Sequence, residues 1–274
     1  MIMDMPARIL QAALMLVCCS CSVKEVRDGC PCLLRLDLDE VVEGGVFTRA
    51  VTTMGPCTDR PIGQEMINVP VYEGIGYERS VPRRLVRASV VCGFKNSVFR
   101  SDTLRVGNDM PADPIMAFAV SRECAGETEL VHVSLHKQFC RMTFDIEGED
   151  DLSSYPFALR VRAACNGLNL YDLQPVEGEF SAIAQENPDG KLSLIVPRQK
   201  DNELSLELLD EDALSRGEEV VVWTMDIGRK LASSGYDWND PDLDDVTVRI
   251  DLSHVTFSLG VVPWDEYDYS NWEI

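Results

Sequence analysis

No apolar run in this chain is long enough to cross a bilayer as a helix, which takes about 20 residues. The run "ILQAALMLV" (Ile9 to Val17) is far shorter and is interrupted by Gln11. Histidine is scarce, with three in 274 residues, and Lys plus Arg number 25 against 46 acidic residues. The resulting net charge of −21 repels phosphate backbones and anionic lipid heads, which excludes nucleic acid as a partner. Those carboxylates are spread along the chain rather than gathered in a tail, the pattern of a solvated surface. The catalytic signatures G-x-S-x-G, H-E-x-x-H, G-x-G-x-x-G and the P-loop are all missing. Carboxylate pairs for glycoside hydrolysis are not singled out from so acidic a background. The expectation is a protein that is not an enzyme and carries no cofactor or metal.

The residues that argue otherwise do not converge. His132 and His136 fall on one face of a strand pattern with Ser134, about 13 Å apart at strand rise, too far to share a metal. The acidic run "DWNDPDLDD" (Asp237 to Asp245) has Pro241 at its fifth place, which breaks the calcium-loop spacing. It reads as a solvated loop before a strand.

Helical periodicity is confined to "DIGRKLASSG" (Asp226 to Gly235). The remaining pattern is β. In "CLLRLDLDEV" (Cys32 to Val41), Leu34, Leu36 and Leu38 alternate with charged residues, the period of a half-buried strand. Similar strands are predicted over 83–94, 115–121, 129–148, 157–165, 191–197, 203–209, 218–227, 245–253 and 256–264. Turn signals such as "NPDG" (Asn187 to Gly190) separate them. Many short strands without βαβ alternation mean β-sandwich. Their number exceeds one small sandwich, so two in series are expected, with the second beginning near Phe139.

Five cysteines crowd "LVCCSCSVKEVRDGCPC" (Leu16 to Cys32). An apolar run entering cysteine directly is the mark of a bacterial lipoprotein signal, with Arg8 ahead of it. Asp4 offsets Arg8, and a start at Met5 would make the leading segment basic. Two cysteines compete for the lipid. Cys19 has Leu16 three places before it, and Cys21 has Ser20 just before it. Zinc ligation by Cys18, Cys19 and Cys21 lacks the paired C-x-x-C geometry. "SVKEVRD" then serves as a tether. Of the later cysteines, Cys92, Cys140 and Cys165 sit within strand patterns as small core residues. Cys30 and Cys32 are too close to bridge one another. Either could bridge a later cysteine and pin the start of the first strand, since exported proteins admit disulfides.

The segment Cys21 to Val41, together with "HKQFCRMTFDIEG" (His136 to Gly148) and Gly235 to Trp264, resembles the fimbrillin-associated anchor lipoproteins of Bacteroidales. These are the anchor family of major and minor fimbriae, or type V pili. The resemblance touches the beginning, middle and end of the chain. It implies two transthyretin-like β-sandwiches, a signal peptide over 1–20, a tether over 21–31, and domains over 32–136 and 137–274. It also implies a diacylglycerol/palmitate anchor on Cys21, a place at the pilus base in the outer membrane, and fimbrial shaft subunits as partners. Cys18 stands where the family has leucine or a small apolar residue, which keeps Cys19 open as the lipid site. Such subunits join by strand donation, in which an extended segment completes a neighbour's sheet. A lipidated first strand is poorly placed to be shed, so this chain is expected to donate. The candidate donor is the tail from Val261 to Ile274, with Val261, Val262, Trp264, Tyr267, Tyr269 and Trp272; packing on its own domain is the other reading. An alternative function is a surface lipoprotein that binds glycan or host protein.

Overall fold

The computed structural model describes residues 29–57, 63–147, 156–251 and 256–264. In chain order it begins with β1 (Cys32–Asp37), helix α1 (Asp39–Glu43), β2 (Arg49–Pro56) and β3 (Gly63–Asn68). There follow a 3-10 turn (Val69–Tyr72), β4 (Tyr77–Val81), β5 (Leu85–Cys92), β6 (Val98–Arg100) and β7 (Thr103–Arg105). β8 (Met116–Glu123), β9 (Thr128–His132) and β10 (His136–Lys137) lead to β11 (Phe139–Ile146). The second half holds β12 (Phe157–Asn169), β13 (Pro175–Ile183), β14 (Gln185–Glu186), β15 (Leu192–Pro197) and β16 (Leu204–Asp210). It closes with α2 (Glu211–Ser215), β17 (Val221–Met225), α3 (Ile227–Ser234), β18 (Asp245–Asp251) and β19 (Thr256–Val262).

The fold is all-β, with four sheets stacked as β-sandwiches. A three-stranded sheet, β4-β1-β9, lies over a five-stranded one, β10-β8-β5-β2-β3. Between them Leu34, Leu36 and Leu38 meet Met54, Val86, Ala88 and Val90 in one core. Burying each of these leucines contributes about 1.5–3 kcal/mol. The second sandwich sets β14-β15-β11-β18-β19 against β17-β16-β12, with β13 along the far edge of β12. Its core joins Met142 and Phe144 to Leu159, Val161, Leu206 and Val248.

The two sandwiches are not separate beads. The hairpin β6–β7 lies well before the expected 136/137 boundary, yet β7 pairs with the last residues of β12, Leu104 opposite Leu168. Gly167 permits the approach, because a Cβ there would stand 2.5 Å from the Leu104 carbonyl oxygen. A small third core of Val91, Leu104, Ile115, Ala117, Leu168 and Leu170 fills the junction.

Two strand expectations need correction. The first strand stops at Asp37 rather than running to Val41, because the Asp37 carboxylate accepts the Asp39 N–H at 3.1 Å and starts a helical turn. Leu38 and Val41 are still buried, so the apolar spacing continues while the backbone changes. The run over 129–148 splits into β9, β10 and β11, because the chain crosses there from one sandwich to the other. The helix over 226–235 forms as read: the Asp226 carboxylate accepts the Arg229 N–H at 2.9 Å, and Gly235 ends it at φ 84°.

Candidate functional site

The two ends of the described chain are built very differently. At the N-terminal end the chain enters β1, which sits in the middle of its sheet. It pairs antiparallel with β4 and parallel with β9. Each edge of β1 is therefore spent, and its inward face is buried. Cys30 is exposed just ahead of the strand, and Cys32, its first residue, is fully buried. Each of the seven described cysteines carries a thiol in this structure. Cys92 and Cys140 lie in apolar cores as expected and Cys165 is buried outside them, and burial pushes the Cys92 and Cys140 thiols up to about 12.

At the other end, among the described residues β19 pairs with β18 alone and forms the last strand of its sheet. Phe257, Leu259 and Val261 lean on the core, while Thr256, Ser258 and Gly260 face water. Of the candidate donor residues, Val261 and Val262 pair with Val246 and Asp245 of the same domain. Trp264 stands 37% exposed, its N–H donating to Asp244 Oδ1 at 3.1 Å. Tyr267, Tyr269 and Trp272 lie outside the described residues, as do Cys19 and Cys21. Among the described residues β17 is likewise the last strand of its sheet, and Val220 just before it and Val221 and Val222 within it are 45%, 42% and 52% exposed.

Between the two ends lies a polar clamp that sequence reasoning missed. The segment 237–245 was expected to be a solvated loop. Instead it grips the crossing between the sandwiches, because its carboxylates have buried partners. Asp242 accepts the Lys137 N–H at 2.7 Å and approaches His136 Nδ1 at 2.9 Å. Lys137, fully buried, donates Nζ–H to Leu243 O at 2.7 Å and to Asp245 Oδ1 at 2.5 Å. Its ammonium also sits 4.8 Å from the Phe139 ring centroid. Arg198, buried beside it, donates to Gln138 Oε1, Trp238 O, Lys137 O and Pro241 O. Burial pulls its guanidinium below the ordinary value. In the sequence the only signal is "HKQF", a cluster of polar residues inside a strand pattern.

The histidines do no common chemistry. The structure puts them on separate strands, His132 on β9 and His136 on β10. His132 Nδ1 lies 2.7 Å from Asp37 Oδ2, and the neighbouring Ser134 hydroxyl donates to Glu40 Oε1. The Asp39 N–H, and to a smaller extent His132, hold the Asp37 carboxyl below the usual range. Among the described residues no group of three or more His, Cys, Asp or Glu side chains could hold a metal ion. No helix among them is long and apolar enough to cross a membrane.

No protein-family profile and no curated protein sequence matches the chain. Solved structures match it in fold. One, from Bacteroides thetaiotaomicron, is described as a candidate polysaccharide binding protein; it is 11% identical with a TM-score of 0.58, covering 86% of this chain and 96% of its own. A candidate adhesin from Bacteroides ovatus is 9% identical with a TM-score of 0.56, covering 86% and 94%. The fimbrial anchor protein Mfa2 from Porphyromonas gingivalis is 11% identical with a TM-score of 0.53, covering 85% and 97%. The two-sandwich architecture is thus shared almost end to end with these proteins.

Proposed function

We propose that this chain is a non-enzymatic surface lipoprotein that anchors a fimbria to the outer membrane. One observation carries the reading: nearly the whole length of a fimbrial anchor protein superposes on it. The placement of β1 agrees with that role, since a strand paired on both edges and packed into a core is not an exchangeable one. Residues 1–20 serve as the signal, 21–31 as the tether, and Cys21 takes the diacylglycerol, with Cys19 as the alternative acceptor. The shaft is held by strand donation from the tail, Val261 to Ile274.

The test is recovery of the tagged protein from outer membranes in mild detergent, with mass-spectrometric identification of what accompanies it. A fimbrial shaft subunit is expected, together with palmitate label that is lost in C21S or, on the alternative, in C19S. A membrane-bound protein that brings no fimbrial subunit rejects the anchoring role.

A second reading has one observation of its own. A polar cleft of about 290 Å³ is lined by Asn108, Asp109, Arg160, Arg162, Glu179, Ser181 and Glu219. The Ser181 hydroxyl, buried there, has no hydrogen-bond partner among the described residues. Arginines, carboxylates and a spare hydroxyl suit a sugar's hydroxyl groups, so a glycan-binding role is the alternative. Titration with an oligosaccharide panel decides it, with S181A as the control that should weaken any binding seen.

A further inference from the structure

Cys32 opens β1, and Cys124 lies in the turn between β8 and β9. Both side chains are fully buried and belong to the same apolar core. Three ties bring them to one place. Leu33 pairs with Thr128 across the parallel β1–β9 ladder. The Leu33 N–H donates to Glu127 O at 2.8 Å, and the Cys124 N–H donates to Arg84 O at 3.1 Å, which hangs the turn from the start of β5. The two thiols are near enough to perturb one another electrostatically, while the Cys124 thiol itself donates to Arg122 O at 3.8 Å. Of the other described cysteines, Cys30 is exposed, Cys57 is partly exposed, Cys92 shares the core from the far end of β5, and Cys140 and Cys165 lie on strands of the second sandwich.

We propose that Cys32 and Cys124 form a disulfide that straps the first strand to the β8–β9 turn. The inference rests on the surface-protein reading, because a reducing cytosol would keep both thiols reduced. The oxidant is a disulfide, either of a small thiol or of a thiol–disulfide oxidoreductase. One cysteine loses its proton and attacks a sulfur of that disulfide, expelling a thiolate. The second cysteine, deprotonated in turn, attacks the mixed disulfide and expels the other half. Two electrons pass from the protein sulfurs to the donor, which ends as two thiols, and the two protons go to its thiolates.

Burial pushes the Cys124 thiol up to about 12. Attack requires a thiolate, so the bond closes while the chain folds rather than afterwards. Once closed, a pull on any residue before Cys32 is met by a covalent bond instead of the β1–β4 and β1–β9 ladders alone.

The full chain, purified from bacterial envelopes in mild detergent, is alkylated under denaturing conditions without reductant, digested and mapped. A second portion is first reduced and unfolded, then refolded in oxidised and reduced glutathione. The refolded wild type is expected to give a peptide linking Cys32 to Cys124, and two alkylated thiols fewer than its reduced form. C32S and C124S should each lose that peptide. Because either variant could fail to fold, unfolding of the wild type is also compared with and without reductant, and the oxidised form should have the higher urea midpoint. A refolded protein with both thiols alkylated, or with Cys124 joined to a different cysteine, overturns the proposal. A linked peptide after refolding, with free thiols in the envelope sample, instead overturns the oxidising surface location and leaves the pairing standing.

Discussion

Lys137 Nζ lies 2.5 Å from Asp245 Oδ1, with the lysine side chain fully buried and the aspartate nearly so. The lysine comes from the crossing between the sandwiches and the aspartate from the first residue of β18, so the pair fastens that crossing to the second sandwich. Asp245 Oδ1 also accepts the Arg141 N–H at 2.8 Å.

Removing one member of such a pair leaves the other charge buried and alone. K137M should cost about 3–5 kcal/mol of stability. K137M/D245N should cost clearly less, since asparagine keeps an oxygen for the Arg141 N–H without the charge. Urea unfolding followed by circular dichroism measures both. Equal losses in the single and double variants would show that the charge on Asp245 is not the source of the cost.

Gly228 gives an inverted helix-propensity test. It sits in α3, where alanine ordinarily stabilises by about 1 kcal/mol. Here a Cβ would meet Asn202 O at 1.6 Å, a backbone atom with no free rotation to yield. G228A should therefore destabilise by about 1–3 kcal/mol, the usual range for overpacking. A thermal midpoint at or above that of the wild type would refute this contact.

Stability should fall at alkaline pH for a reason specific to the cores. The Cys92 and Cys140 thiols are raised by burial from 9.0 to about 12. A raised folded-state value means the unfolded chain loses these protons first. The stabilisation is complete below pH 9 and is lost as pH climbs from 9 towards 12. Each thiol contributes a slope of roughly 1.4 kcal/mol per pH unit in that window. C92A and C140A should each flatten the curve of urea midpoint against pH by one proton's worth. An unchanged slope would remove these thiols from the account.

Deleting residues 267–274 separates donation from self-packing. If the tail is donated, the shortened protein unfolds at the wild-type temperature but no longer brings a shaft subunit with it from the membrane. A retained subunit with a lowered unfolding temperature would mean that the tail serves its own domain.

Much of the architecture was readable because one side of most strands faces water. Leu34 and Leu36 against Arg35 reveal β1, and Asp226 and Gly235 bracket α3 before any packing is known. The failures have physical causes. β2 is buried along seven of its eight residues, so it shows no alternation to read, and the stretch from 49 to 81 escaped notice. Asp37 ends its strand through a side-chain hydrogen bond, which apolar spacing does not register. The clamp of Lys137, Arg198, Asp242 and Asp245 joins residues 40 to 108 positions apart, and charged residues look alike in sequence whether solvated or buried. The same holds for Asp113, whose carboxylate accepts the N–H groups of Lys95, Asn96 and Ser97 at 2.7–2.9 Å.

The β6–β7 hairpin sets the order in which this molecule can be completed. Residues 98–105 leave the ribosome, or the export channel, long before residues 167–169 that they pair with. Until β12 arrives, Leu104 has no lasting cover and the outer face of β5, at Val91, stays partly bare. The N-terminal half is thus incomplete until β12 has emerged, and a fragment ending at residue 136 would carry an unclosed seam.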